Sequence, residues 1–270
     1  MASKTAGVRA TVKAAVSENS TGRGRGRPPK AVQAGATQMI SREQIIERAV
    51  QIAKVEPLAE ISIMGLAREF GVTPALVHYY IGSRDELISG VVNTYFKARI
   101  EKLAPLRGDW RSDVEGHAYA SYAKMIEYGG VLRYLMSHNR FRLFQQVAPG
   151  QTDYGLAYLN RIAEIFRNGG FTAEQTAMGY HLLAQYTMSA AYAQVNHQLP
   201  GDHRRFILSQ IQATPAIQYS GAHFIAEPFS RVSARSAFES GLSLLLDGME
   251  GWRKQNPAVR KPAHATARKR

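Results

Sequence analysis

The chain has 270 residues, no cysteine, a formal net charge of +13, 45% apolar residues and 20% charged ones. That apolar share can bury a core and excludes a chain disordered throughout. The missing thiols exclude disulfides, thiolate metal centres and cysteine nucleophiles, and they suit the reducing cytoplasm where the protein is expected.

Residues 1–40 hold seven bases against Glu18, a local charge of +6, with no aromatic residue and no apolar period. They read as a disordered basic arm. Nothing in them resembles the apolar run of a secretory signal, and no stretch of the chain approaches the roughly 18 apolar residues of a membrane span. Order is predicted from Ser41. Ser41 and Gln44 form a capping box, and Ile45, Ala49 and Ile52 carry a helix to about Lys54. Ser62 caps a second helix over Ile63–Phe70, which Gly71 ends in a left-handed conformation. Thr73 caps a third, with Pro74 at its first position, and Gly82 stops it. Ser83 and Glu86 open a long fourth helix to about Leu103.

Helical apolar spacing continues over 111–128, 131–147, 154–168, 173–197 and 234–254, punctuated by Gly129-Gly130, Pro149-Gly150 and Gly169-Gly170. Thr172 and Gln175 form another capping box. Residues 198–233, with three prolines, read as a long connection holding one short helix near Arg205–Gln212. Residues 251–270 hold seven bases and no acid, so the tail beyond about residue 254 reads as a second basic segment. The middle, 41–250, is neutral, with 20 bases and 20 acids. Two basic tails on a neutral body point to a polyanion, and nucleic acid is the natural one.

The informative motif is 61–81: a short helix, a Gly-Val-Thr turn and a second short helix. Small groups at the leading end of that second helix can approach base edges in a major groove. The longer string MISREQIIERAVQIAKVEPLAEISIMGLAREFGVTPALVHYYIGSRDELISGVV resembles the amino-terminal domain of the tetracycline-repressor (TetR) family. GDWRSDV at 108–114 and FESGLSLLLDGMEGW at 238–252 resemble, more loosely, the opening and closing helices of its effector domain.

The resemblance implies an all-α fold. A three-helix head at 41–104 carries the helix-turn-helix, and a long fourth helix joins it to an effector-binding and dimerisation domain at 105–254; the disordered basic tail at 255–270, like the arm at 1–40, lies outside the resemblance. It implies that Ser62 and Thr73 meet phosphate, that Pro74, Ala75 and Leu76 face bases, and that Tyr79 reaches a base or thymine methyl. Tyr80 and Arg84 hold the DNA backbone. His78 stands where a phosphate-binding tyrosine is common in the family, and Met64 where a polar group is. The partners implied are double-stranded operator DNA, a small-molecule effector and a second copy of the chain. No cofactor, metal or catalytic residue is implied.

Residues 22–30, GRGRGRPPK, resemble an AT-hook, with Arg25 and Arg27 entering a narrow minor groove. The head carries eight bases and eight acids, so a basic arm would supply affinity it lacks. Two other classes fit the sequence less well. An enzyme would need a signature such as G-x-S-x-G, a phosphate loop or H-E-x-x-H, and none is present. An architectural DNA binder using tails alone would leave the large apolar body without a task.

That body is rich in tyrosine, with ten of the 13 in residues 119–219. His117, Tyr122, His138, Phe141, Phe144, Gln145, Tyr158, His181 and Gln185 on predicted helices are the candidate pocket, suited to a planar or aromatic, weakly polar effector. On the last helix Phe238, Leu242, Leu245 and Met249 form one stripe, and Ala184 and Ala191 lie seven apart on the alanine-rich helix. These two helices from each subunit are the expected four-helix dimer interface.

Overall fold

The computed structural model describes residues 40–255. The two basic arms, with Arg25 and Arg27, lie outside the described residues. All regular structure among the described residues is helical. Helix α1 spans Arg42–Ala53, α2 Ile63–Glu69, α3 Pro74–Ile81 and α4 Arg84–Glu101. Then come α5 Trp110–Glu127, α6 Gly129–Ser137, α7 Tyr154–Asn168 and α8 Ala173–Val195. The last three are α9 Arg204–Gln212, α10 Ser220–Ser230 and α11 Ala234–Gln255.

Local chemistry sets the starts. Ser41, Ser83 and Thr172 each accept from the N–H three residues on, and the side chains of Gln44, Glu86 and Gln175 close all three capping boxes. Gly71 (φ +64°) and Gly82 (φ +84°) supply the left-handed residues that end α2 and α3. Two apolar clusters follow. The first runs from Ile45 and Val77 in the head, through Leu87, Val91 and Tyr95 of α4, to Val131 and Tyr158 in the body. The second joins α5, α7, α8 and α11 around Trp110, Phe166, Phe238 and Leu242.

Helix α4 is the only covalent link from head to body, but it is not the only contact. Gly130, at the start of α6, sits against the end of α1: a Cβ there would lie 1.8 Å from the Glu56 carbonyl oxygen and 2.6 Å from that of Ala53. Arg133 of α6 donates to the Val55 carbonyl (3.1 Å) and to Asn196 Oδ1 (3.0 Å), and Lys54 pairs with Glu127 at 3.0 Å.

Four expectations need correction. The helix predicted over 131–147 ends at Ser137, because His138 turns extended (ψ 139°). Residues 138–153 run instead as a strap along α4. Asp85 takes Arg140 (2.9 Å) and Arg142, and Asn93 accepts from the Tyr154 N–H (2.8 Å) and donates to the Thr152 carbonyl (3.0 Å). Side-chain bonds to this segment replace the helical ladder that its apolar spacing mimics. Second, the break before α6 falls at Tyr128, so Gly129-Gly130 lies inside its first turn instead of ahead of it, and at position 130 only a residue without Cβ fits against Glu56.

Third, 198–233 is not one long connection. It holds α10 as well as α9, and Pro228 lies in the last turn of α10 rather than breaking it. Fourth, the stripe read as a dimer face packs inside the chain: Phe238 and Leu242 are 1% exposed, and Met249 and Ala191 are equally enclosed. A stripe of large apolar residues meets its own core as readily as a partner's, and the two cases share one spacing. Leu245 is half-buried against the second cluster, and Ala184 is half-buried beside the cavity described next.

Candidate functional site

Two surfaces carry chemistry. On the first, α2 and α3 meet through the Gly71 turn. Val77 and Ile81 anchor α3 from behind in the first apolar cluster. Its front is open: Thr73, Pro74, Ala75, His78 and Tyr79 are exposed, Tyr79 at 81%. The Tyr79 ring stands edge-on to Tyr80 with centroids 5.3 Å apart. Leu76 and Tyr80 are half-buried and pack on the head core, so they offer only an edge.

Ser62 and Thr73 accept from the backbone N–H groups of Gly65 (3.0 Å) and Leu76 (3.3 Å), which leaves each exposed hydroxyl hydrogen free to donate outward. Arg84 donates to the Ala59 carbonyl with one guanidinium nitrogen and is otherwise exposed. His78 differs from the rest. Its Nδ1 lies 2.9 Å from the Gly82 carbonyl, so the ring hydrogen is committed there and a neutral ring presents an acceptor outward.

The second surface is a cavity of about 250 Å³ lined by α4 to α8 and the strap. Four of the nine residues expected in a pocket line it: Phe141, Tyr158, His181 and Gln185. His181 and Gln185 are exposed at its rim. The other five stand elsewhere. Tyr122 stacks on Phe238 (3.9 Å) in the second apolar cluster, and its hydroxyl donates to Gln194. His138 and Phe144 lie on the strap, packed on Tyr134 and Phe141. Gln145 ties the strap to itself through the Arg142 carbonyl and Asp153.

His117 sits one layer behind, with Nε2 2.6 Å from the Tyr158 hydroxyl. That hydroxyl is a hub. It accepts from Arg99 and lies 2.7 Å from Ser121 Oγ. With Arg99 donating, the single hydroxyl hydrogen of Tyr158 serves either His117 Nε2 or Ser121 Oγ. Burial holds the His117 pKa down to about 3, and the charges of Arg99 and Arg161 push the same way. Burial also pushes the Tyr180 hydroxyl, at the cavity wall, up to about 12.

Sequence reasoning missed Arg99, Arg140 and Arg142, all of which line the cavity. A signal for Arg99 existed: it continues the apolar face formed by Val92, Tyr95 and Phe96, where a base is out of place.

Comparison with known proteins identifies the class. The model of the tetracyclin repressor-like C-terminal domain matches residues 104–252. The chain belongs to the TetR family. No curated protein matches the sequence. The structure is similar to ActR of Streptomyces coelicolor in its apo form, with a TM-score of 0.68 and 21% identity, covering 80% of this chain and 97% of that one. ActR in complex with actinorhodin gives a TM-score of 0.65 at 21% identity, covering 79% of this chain and 98% of the other. A further TetR regulator of that organism, SCO7222, gives 0.62 at 16%, with 80% and 100% covered. No helix among the described residues is long and apolar enough to cross a membrane.

Proposed function

We propose that the protein is a ligand-responsive transcriptional regulator. It binds a two-fold-symmetric operator as a homodimer, and a small molecule in the cavity shifts it off or onto DNA. Repression is the expected sign, since an occupied operator obstructs polymerase. The protein's work in this proposal is binding, not catalysis.

The observation that carries it is the front of α3, where Thr73, Pro74, Ala75 and Tyr79 stand exposed on a helix anchored from behind by Val77 and Ile81. A short, rigid, outward-facing helix of this kind suits a major groove. Ser62, Thr73 and Arg84 then hold phosphates, and Tyr80 and Leu76 support the base contacts from the edge. His78 contributes as a donor only when its ring is cationic. Residues 41–104 form the reading head, 105–254 the effector and dimer domain, and Arg25 and Arg27 of the arm add minor-groove contact.

The dimer face moves to the opposite side of α11 and α8. There Leu244 is 73% exposed between Ser240 and Gly248, and Met178 is exposed on α8. Small neighbours around one leucine allow close helix approach. The ActR complex with actinorhodin supports a small molecule within a fold of this kind.

Selection of binding sites from random DNA by the full-length protein tests the proposal. The expected product is an inverted repeat whose half-sites lie about 34–36 Å apart, or a multiple of that. Recovery of no common sequence, or of one without two-fold symmetry, would overturn it.

A further inference from the structure

The cavity under the strap is lined by three arginines and no carboxylate-bearing residue. Arg140 and Arg142 share one counter-charge, Asp85, which lies outside the cavity wall. Arg99 has no ionic partner among the described residues. It is 6% exposed, spends one nitrogen on the Tyr158 hydroxyl, and leaves its Nε–H without any acceptor. The Nε–H of Arg142 is unpartnered as well.

A buried guanidinium is costly to keep unless its charge is met. The rings of Tyr95, Phe96 and Tyr158 lie 5.4, 5.4 and 4.0 Å from the Arg99 guanidinium carbon, which softens that cost without neutralising the charge. A planar fork with an unspent donor, set in an aromatic chamber, matches a planar anion on an aromatic body. A free phosphate would meet the charge but leave the aromatic wall without a partner.

We infer that the cavity takes a planar aromatic carboxylate, with the carboxylate on Arg99 and the ring against Phe141 and Tyr180. This rests on the cavity being the effector site, and it replaces the weakly polar ligand expected from sequence with a charged one. The volume of about 250 Å³ falls just below the usual range for drug-sized ligands and leaves room for roughly one or two fused rings.

Matched pairs test it: benzoate against benzamide, salicylate against salicylamide, and 2-naphthoate against 2-naphthamide. Each is titrated calorimetrically into the full-length protein. In at least one pair the acid should bind about tenfold or more tighter than its amide, the scale of a charge-assisted hydrogen bond. In Arg99→Met that preference should vanish, and Ala184→Phe, which fills the cavity, should remove binding of acid and amide together.

Equal binding of acid and amide by the natural protein would overturn the anion and leave the cavity as the ligand site. Acid binding that survives Ala184→Phe would overturn both. Absence of binding by every acid would overturn the anion. The comparison of acid with amide in the natural protein stands even if Arg99→Met does not fold.

Discussion

Asp85, the second residue of α4, accepts a hydrogen bond from Arg142 of the strap that covers the cavity. It lies next to Arg84, and Arg140 shares the same carboxylate oxygen at 2.9 Å. One wall of the cavity is therefore tied to the start of α4, the helix that follows α3. Arg142 and its neighbour also hold the Asp85 pKa below the usual carboxylate value.

Asp85→Asn should release the strap. The Asp85 carboxylate that both arginines share is 45% exposed, which holds each pair to about 1 kcal/mol or less, so exchange of amide hydrogens in 138–153 should quicken several-fold. Amides in the middle of α4 should be unaffected. Unchanged exchange in the strap would show that Asn93 alone fastens it. In the regulator proposed here, the same variant should weaken the mutual effect of ligand and operator, which ordinarily amounts to about 1–3 kcal/mol.

Tyr79→Ala and Arg84→Ala should weaken operator binding in different ways. Losing the tyrosine should relax preference at one position per half-site by about 1–3 kcal/mol. Losing the arginine should weaken all sequences alike and reduce the salt dependence by about one phosphate. Binding isotherms on the selected site and single-base variants, at several salt concentrations, separate the two.

Gly130→Ala should destabilise the protein by about 1–3 kcal/mol, because the added methyl meets two backbone carbonyls and cannot be accommodated by a rotamer change. Gly116→Ala, where the same atom would meet nothing within 4 Å, is the control. Denaturant midpoints of the two variants check it; equal midpoints would contradict the close packing of α6 on α1.

His117 makes stability depend on pH well above the carboxylate range. Its folded pKa of about 3 lies below the ordinary histidine value of 6.5, so the unfolded chain binds the extra proton first. Stability is therefore full above pH 6.5 and falls as pH drops below it. The slope approaches about 1.4 kcal/mol per unit. His117→Gln should flatten the profile between pH 6.5 and 5, as chemical denaturation at fixed pH values would show. A profile identical to that of the natural protein would mean that His117 is not held neutral.

Much of this was readable beforehand. The three capping boxes, Gly71, Gly82 and Pro74 act through neighbours in sequence, so helices α1 to α4 were placed nearly to the residue. The strap was not, because Arg140 and Arg142 are drawn off the helical path by Asp85, more than fifty positions earlier. The same distance hid the cavity. Tyr158 and His181 were recognisable as aromatic and polar groups on helices, but nothing local separates them from Tyr122, which went to the core. Phe238 and Leu242 taught the reverse lesson, since a strong stripe marks a buried face without saying whose core buries it.

Arg99 sets the natural protein below the stability its own fold could reach. A methionine there would keep the aromatic packing and remove an unmatched charge, so an Arg99→Met chain should melt at or above the natural one in the absence of ligand. The reverse holds once an anion meets Arg99, since only the folded chain offers that site and binding draws the unfolded population down. Cellular proteases act on that unfolded population. The lifetime of the regulator would then follow the supply of its ligand, and the amount of protein present would carry the signal alongside its occupancy of DNA.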